Sequence, residues 1–338
     1  MRTGQALAAG AVAVLATLVV VGATQQKSGA PEDALPPNIT QLTAFGERAS
    51  WSPDGQRIAF MSKSFGDAFV VDVKTRMIRL LTHYPNPGYL RVQYLPTGDL
   101  LLIGARTFTD IQTTRARDQE LWLLKADTRD RPVALGQKIS EGIAISRKTM
   151  KVSWSNTHGQ YPDSIAEGES VLYTADVVTE GGEPHLANKT EVLRAKAPEC
   201  TLEAQDFRND DTELIYTCYR SPFADVFGID LKSRTITTYR KIAGEYNEVE
   251  GIFPDGKTAL VESSRDQPKQ NSNFIDIWRL TLEPNSPNFV RMTRWGDYPG
   301  YKASNPVVSP DGSTIAFQSA RNTDAAGVGY GIFLLKVQ

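Results

Sequence analysis

One pattern of apolar and polar residues returns along most of the chain. Its clearest copies have an apolar residue, then Ser-Pro-Asp-Gly, then two polar residues and Ile-Ala-Phe-x-Ser, where x varies. Proline presets φ for the first turn position, Asp tolerates the tight bend and Gly accepts positive φ, so each copy predicts a β-hairpin. Two copies are close, two are intermediate and two are degenerate: Trp51–Ser62, Val308–Ser319, Ile252–Val261, Tyr94–Ile103, Ile145–Trp154 and Phe207–Cys218.

A further apolar strand follows each hairpin, and a charged turn with a fourth strand closes most units. Six units of four strands, at intervals of roughly 40 to 65 residues, are typical of propeller blades. The last unit ends at its third strand, whereas the unpaired strand Asn38–Thr43 precedes the first unit. The sequence therefore predicts an all-β, six-bladed β-propeller of four-stranded antiparallel blades, with the last blade closed by the N-terminal strand.

The repeat resembles that of the TolB-like, WD40-like (PD40-type) propellers, and the resemblance covers residues 38–337. It implies a free-standing propeller that serves as a rigid binding platform, because no peptidase domain of the prolyl-oligopeptidase kind follows the last blade. Propellers that share this fold differ in their tasks, so the resemblance does not name a ligand.

The first residues predict export. Arg2 is followed by a run without charged residues from Ala6 to Ala23, and small residues end that run, which is typical of a secretory signal peptide. We expect residues 1–23 to be a signal peptide, residues 24–37 a linker and residues 38–338 the propeller. The alternative is a membrane anchor formed by residues 6–23. The mature protein would be periplasmic, extracellular or in the lumen of the secretory pathway.

The two cysteines, Cys200 and Cys218, flank the degenerate fourth hairpin and are near neighbours across its strands. We expect a disulfide that staples this blade, with buried free thiols or redox-active thiols as alternatives. The N-x-T sequons at Asn38 and Asn188 are glycosylation sites only in a eukaryotic host.

Composition and motifs reduce the number of function classes to consider. The 338 residues carry a net charge of −2 without a basic run, which gives no support for nucleic-acid binding. No serine lies in G-x-S-x-G, and His83, His158 and His185 are not at metal-binding spacings. We therefore predict no catalytic residue, no metal-ligand set and no cofactor. Ca²⁺ stays a candidate cation that acidic groups could bind.

Aligning the six hairpins identifies the residues that begin the inner strands, beside the central tunnel. Five positions before the turn serine, four of the six residues are glutamate: Glu47, Leu90, Glu141, Glu203, Glu248 and Ser304. Polar neighbours on the same strands are Arg48, Arg91, Asp206, Glu250 and Asn305. If the alignment holds, one mouth of the tunnel has an acidic ring, which a cation, an arginine or a bound basic group must offset.

Three interpretations of this ring stay open. Each carboxylate bonds backbone amides of a neighbouring blade, or the mouth holds Ca²⁺ or a similar hard cation, or it binds a basic peptide or a small ligand. A second candidate recognition surface comprises two loops with Tyr84 and Tyr89, and with Tyr298 and Tyr301; ordinary turn chemistry explains these residues as well.

The leading hypothesis is an exported, non-enzymatic propeller that binds a protein, peptide or glycan partner through its loop face and tunnel mouth. The alternative is a small exported enzyme, a lyase, isomerase or hydrolase, that uses the acidic mouth with or without a bound cation. We expect a monomer that contacts a membrane only through an uncleaved N-terminal segment.

Overall fold

The computed structural model describes residues 26–126, 131–324 and 327–337. The expected signal peptide or anchor lies outside the described residues. The described chain forms six four-stranded sheets, and every pair of neighbouring strands within them is antiparallel. The predicted six-bladed β-propeller is confirmed.

The strands follow the order of the repeat. Blades one to three consist of β2 (Glu47–Trp51), β3 (Arg57–Met61), β4 (Ala68–Asp72) and β5 (Ile78–Leu80); β6 (Tyr89–Tyr94), β7 (Leu100–Ala105), β8 (Gln119–Leu124) and β9 (Val133–Lys138); and β10 (Ile143–Ile145), β11 (Lys151–Thr157), β12 (Glu169–Glu180) and β13 (Glu183–Lys196). Blades four to six consist of β14 (Thr201–Arg208), β15 (Glu213–Arg220), β16 (Phe223–Asp230) and β17 (Ile236–Arg240); β18 (Asn247–Ile252), β19 (Thr258–Ser263), β20 (Asp276–Thr281) and β21 (Phe289–Arg291); and β22 (Tyr301–Val308), β23 (Thr314–Arg321), β24 (Ile332–Lys336) and β1 (Ile39–Gln41).

Helical segments in the described chain are short. A single helical turn, α1 (Ile111–Thr113), continues as a π-turn (Thr114–Asp118) between β7 and β8, and 3₁₀ turns lie at Pro31–Ala34 and Trp295–Asp297. No helix among the described residues is long and apolar enough to cross a membrane.

The N-terminal strand closes the last blade. β1 pairs antiparallel with β24, so that Ile39 lies opposite Leu335 and Gln41 opposite Phe333. This pairing covers an edge of β24 that would otherwise present unpaired backbone groups. The predicted closure is confirmed.

Residues 26–37 pack against the last two blades. Pro31 is buried, Ser319 donates a hydrogen bond of 2.6 Å to Glu32, and the Lys27 backbone N–H donates to the Asp297 carbonyl at 2.9 Å. The described part of the segment that we expected to be a linker therefore follows the surface of the propeller.

The turn of the repeat has a specific hydrogen-bond pattern. In the first blade, Ser52 donates to Asp54 at 2.5 Å, and Asp54 accepts the N–H of Gln56 at 3.0 Å. Gly55 has φ of 68°, the left-handed region that glycine adopts at low cost. The Ser-Pro-Asp-Gly turn of the last blade repeats both hydrogen bonds, at 2.6 and 3.0 Å. Local chemistry thus explains why the motif recurs at hairpins.

The core lies within and between the blades. Near the closure, the ring of Trp295 contacts Phe317 and Phe333 with centroids 5.0 and 5.5 Å apart. All three side chains are buried. Such aromatic packing holds neighbouring blades in a fixed relation and so fixes the tunnel between them.

Cys200 and Cys218 form a disulfide with their Cα atoms 5.1 Å apart. It links the start of the fourth blade's inner strand to the end of the next strand. The predicted disulfide is confirmed, and disulfides persist in oxidising compartments.

Candidate functional site at the upper mouth of the tunnel

Bulges in the inner strands aim side chains into the tunnel. Five of the six described inner strands have a register irregularity, for example between Glu47 and Ser50 and between Val249 and Gly251. β-Bulges bend a strand and redirect its side chains. We call the end of the tunnel where the inner strands begin the upper mouth, and the end formed by the hairpin turns the lower mouth.

The glutamates of blades one to three are offset by arginines. Arg48 forms an ion pair with Glu141, and its Nε lies 3.6 Å from Glu47. Arg115 extends from the π-turn and forms a second ion pair with Glu141. Burial and then repulsion from Arg48 lower the pKa of Arg115 to about 10. On this side of the mouth the glutamates therefore have arginine partners.

Blades four and five carry a different group, which we call the acidic cluster: Glu203, Glu248, Glu250 and Glu262. Glu248 lies directly opposite Glu262 in the β18–β19 pair. One carboxylate oxygen from each of Glu248, Glu250 and Glu262 lies within 4.8 Å of the others. In the described chain no lysine or arginine forms an ion pair with any of the four. Like charges opposite each other are destabilising, so the cluster requires protons or a cation.

Tyrosines and an asparagine supply the hydrogen bonds of the cluster. The Tyr219 hydroxyl lies 2.7 Å from Glu203 and also contacts Glu248, which Tyr246 contacts from the other side. Asn305 donates its backbone N–H to Glu262 at 2.5 Å and its side-chain amide to Glu250 at 3.2 Å. A tyrosine hydroxyl has one proton, so Tyr219 donates to only one of its two neighbouring glutamates at a time.

The cluster binds protons more tightly than isolated glutamates do. Burial and then the charge of Glu248 raise the pKa of Glu203 and raise that of Glu262 to about 8. Burial and then Glu262 raise the pKa of Glu250 well above its ordinary range. Burial also keeps the pKa values of Tyr219 and Tyr246 well above 10, so both remain neutral donors.

Three basic side chains act on the cluster from a distance. The charges of Arg91 and Arg48 lower the pKa of Glu203, against the larger effect of burial. Lys302 donates to the Ser272 carbonyl at 3.0 Å, and burial lowers its pKa. Neither Arg91 nor Lys302 forms an ion pair in the described chain, so the compensation of the cluster is incomplete.

A pocket of about 380 Å³ gives access to this region from the upper face. Its lining includes Arg115, Glu141, Thr157, Glu203 and Tyr219. Glu203 and Tyr219 belong both to the pocket wall and to the hydrogen-bond network of the acidic cluster. A ligand group that enters the pocket therefore reaches the cluster through these two side chains.

The structure divides the predicted ring. Glu203, Glu248 and Glu250 come together, whereas Glu47 and Glu141 join the arginine network. In the described chain, the four aligned glutamates accept hydrogen bonds from side chains and none from a backbone amide. The other two aligned residues, Leu90 and Ser304, are buried.

Asp206 lies deeper in the tunnel than the upper-mouth glutamates. It accepts the N–H of Ile252 at 2.9 Å and pairs with Arg147 near the hairpin turns. Burial raises its pKa, against the opposing charge of Arg147.

The tyrosines of the two loops are packed to different degrees. Tyr89 and Tyr298 are buried. Tyr84 and Tyr301 are half-buried, and the guanidinium of Arg321 lies 3.7 Å from the Tyr301 ring centroid. A recognition role for these loops stays a prediction.

Sequence alignment missed several members of the site. Glu262 occupies the variable x position of the repeat, where the other close copies have Met61 and Gln318. An acidic residue in an otherwise apolar strand is the signal that identifies it. Arg115 lies in the segment between β7 and β8, outside the repeated motif, and nothing in the repeat points to Tyr219 or Tyr246.

Comparisons with known proteins give the fold. No protein-family model and no curated protein matches the sequence. Among solved structures, a putative TolB from Agrobacterium tumefaciens is similar with a TM-score of 0.54 and 18% identity over 75% of this chain and 77% of that chain. A luciferin-regenerating enzyme has a TM-score of 0.54 and 11% identity, over 89% of this chain and 96% of that chain. An oligogalacturonate lyase in complex with manganese has a TM-score of 0.50 and 14% identity, over 88% of this chain and 80% of that chain. At such identities the likeness establishes a fold and not an activity.

Proposed function

Since the chain has the TolB-like propeller fold that its repeat predicted, we propose that it is a binding module whose upper mouth takes a positively charged group of a protein or peptide partner. The observation that carries the proposal is the acidic cluster, four carboxyl groups without an ion-pair partner in the described chain. A lysine or arginine side chain supplies the charge that the fold itself does not.

The surroundings of the cluster suit an organic cation. The rings of Tyr219 and Tyr246 lie 6.3 Å apart beside Glu248, and Tyr219 lines the pocket, where an aromatic ring favours a cation. Both oxygens of Glu248 already contact tyrosine hydroxyls, and Asn305 donates to Glu250 and Glu262. Ca²⁺ takes six to eight oxygen ligands, which makes this crowded set a poorer match for it than for an ammonium or guanidinium group.

Binding of a cation displaces protons from the cluster. Glu262, whose pKa is raised to about 8, is largely protonated at mildly acidic pH, and the pKa values of Glu203 and Glu250 are raised as well. A cation favours the ionised carboxylates, so its affinity rises with pH until the cluster has lost its protons. The same linkage makes binding sensitive to salt, since the contacts are electrostatic.

The test is a titration of residues 24–338 with a short lysine-containing peptide and with the same peptide acetylated on lysine. Acetylation removes the charge and keeps most of the shape. We expect the acetylated peptide to bind at least about tenfold more weakly than the lysine peptide. The double variant Glu203→Gln, Glu248→Gln should lower the affinity for the lysine peptide by a similar factor. Glu183→Gln, at the exposed first residue of β13, is the matched control.

Equal affinity of the two peptides overturns the proposal, as does a double variant that binds as wild type does. No binding of lysine or arginine peptides at millimolar concentration also overturns it.

A second candidate function is catalysis in the same pocket. Glu203 lines the pocket and has a raised pKa, the property of a general acid in a lyase, isomerase or hydrolase. A turnover screen at pH 5 to 8 separates the candidates, because an enzyme loses its rate in Glu203→Gln whereas a binding module has no rate to lose.

Export into an oxidising compartment is part of the proposal, and it rests on the disulfide and on the apolar character of residues 6–23. The alternative of an anchored propeller places the same binding site on a membrane surface.

A further inference from the structure

The lower mouth contains a mainly apolar cavity of about 380 Å³ that is separate from the upper pocket. Prolines of the hairpin turns of four blades surround it, among them Pro96 and Pro254. Trp51 and Tyr94 add aromatic walls, and Trp51 is fixed by its indole N–H, which donates to the Val307 carbonyl at 3.3 Å. Concave apolar sites with a few polar groups are the usual form of small-ligand pockets.

This cavity leads to buried guanidinium groups. A second, much smaller cavity of about 20 Å³ adjoins it, and the two share lining residues such as Gln93, Glu250 and Val307. Arg48 and Arg91 line the small cavity. The cavities therefore form one funnel, with a wide part that is mainly apolar and a narrow end that is polar.

The narrow end holds hydrogen-bond donors without acceptors. Arg48 is only 7% exposed, yet its Nη1 has no hydrogen-bond partner in the described chain. The same is true of the buried Nε of Arg91, which also forms no ion pair there. Buried donors of charged groups are normally paired, and unpaired ones favour an acceptor, above all an anionic one.

We propose that the lower mouth binds a small amphipathic carboxylate, with its apolar or aromatic body between Trp51 and Tyr94 and its carboxylate directed to Arg48 and Arg91. A carboxylate is planar and matches the fork of a guanidinium. The site shares Glu250 with the acidic cluster but no lining residue with the upper pocket, and the inference rests on the unpaired donors of Arg48 and Arg91 and not on the proposed function.

The electrostatics of the funnel support an anion. Arg147 and Lys148 lie at the entrance and are paired with Asp206 and Asp210. Asp206 is already offset by Arg147, and burial raises the pKa of Glu250 well above its ordinary range, so this acid opposes an anion less than an ionised carboxylate would. A protonated Glu250 is also a hydrogen-bond donor to a carboxylate.

The probes are 4-phenylbutyrate and 4-phenylbutanamide, titrated into residues 24–338 by calorimetry. We expect the acid to bind at least about tenfold more tightly than the amide, because the amide lacks the charge that the arginines recognise. This comparison uses the wild-type chain and needs no variant.

Variants locate the site. Arg91→Met removes the guanidinium and keeps an apolar side chain of similar length; we expect at least about a tenfold loss of affinity for the acid and little change for the amide. Arg79→Met, on the exposed strand β5, is the control and leaves both affinities unchanged. Unfolding curves of both variants check that the fold is retained.

A third arm distinguishes the source of the carboxylate. A peptide with a C-terminal phenylalanine is titrated as the free acid and as the amide. If the free peptide acid binds more tightly than phenylbutyrate, the carboxylate site is supported and its natural ligand is assigned as the C-terminus of a peptide chain. Equal binding of acid and amide, no binding of any probe at millimolar concentration, or an acid affinity that Arg91→Met leaves intact overturns the proposal.

Discussion

Replacing Glu262 by glutamine tests the electrostatics of the acidic cluster most sharply. Glu262 is buried opposite Glu248, and its carboxylate accepts the backbone N–H of Asn305 at 2.5 Å. Glutamine is neutral, nearly the same size and retains the oxygen that accepts this bond. The substitution therefore removes the charge and preserves the packing.

The magnitude follows from the pKa. Burial and Glu248 raise the pKa of Glu262 from its ordinary value of 4.5 to about 8. A folded-state pKa above the unfolded value gives stability that is complete below pH 4.5 and is lost as pH rises to about 8. At 1.36 kcal/mol per pH unit, a difference of about 3.5 units sets a ceiling of roughly 5 kcal/mol on this loss.

The assay is urea unfolding followed by tryptophan fluorescence between pH 5 and pH 8.5. We expect wild type to lose stability over this range, and Glu262→Gln to lie within about 1 kcal/mol of wild type at pH 5 and to be more stable by up to about 5 kcal/mol at pH 8.5. Glu183→Gln is the control and should leave the pH profile unchanged. A wild-type stability that stays level or rises from pH 5 to 8 refutes the reasoning, and so does a variant that is destabilised equally at both ends.

Three further outcomes follow from the fold. Reduction of the disulfide between Cys200 and Cys218, which are 18 residues apart, should cost about 3 kcal/mol of unfolding free energy, and a double serine variant should no longer respond to reductant; equal stability with and without reductant contradicts this. Ile39→Asp buries a charge in the strand that closes the last blade and should lower the free energy of unfolding by at least about 3 kcal/mol. Thr40→Asp, exposed on the same strand, should lower it by less than about 1 kcal/mol. Similar melting temperatures for both variants would count against the closure. Mass spectrometry of the exported protein should find a chain that begins at Thr24, and retention of residues 1–23 would instead indicate the anchor.

The blades were predictable because their chemistry is local. The hydrogen bonds of Ser52, Asp54 and Gly55 lie within one turn, so a short motif in the sequence is enough to place a hairpin. Closure by β1 followed from counting, since one strand was left over before the first unit and one strand was missing from the last unit. The disulfide was predictable for the same reason, because the register of a single hairpin brings Cys200 near Cys218.

The site was only partly predictable because it depends on neighbouring strands and blades. Alignment of inner strands found Glu203 and Glu248, but it did not include Glu262, which meets Glu248 from the adjacent strand. Arg115 reaches the mouth from a segment outside the repeat. The pKa values depend on burial in the assembled ring, a quantity that no single repeat contains.

The most direct test of the central claim counts protons. Calorimetric titration of the lysine peptide at pH 7 in two buffers with different ionisation enthalpies gives the number of protons that binding releases. The account predicts a net release of at least about half a proton, because a bound cation ionises carboxyl groups that are protonated in the free cluster, and predicts that Glu262→Gln reduces this release. Binding without proton exchange, or with proton uptake, would contradict it.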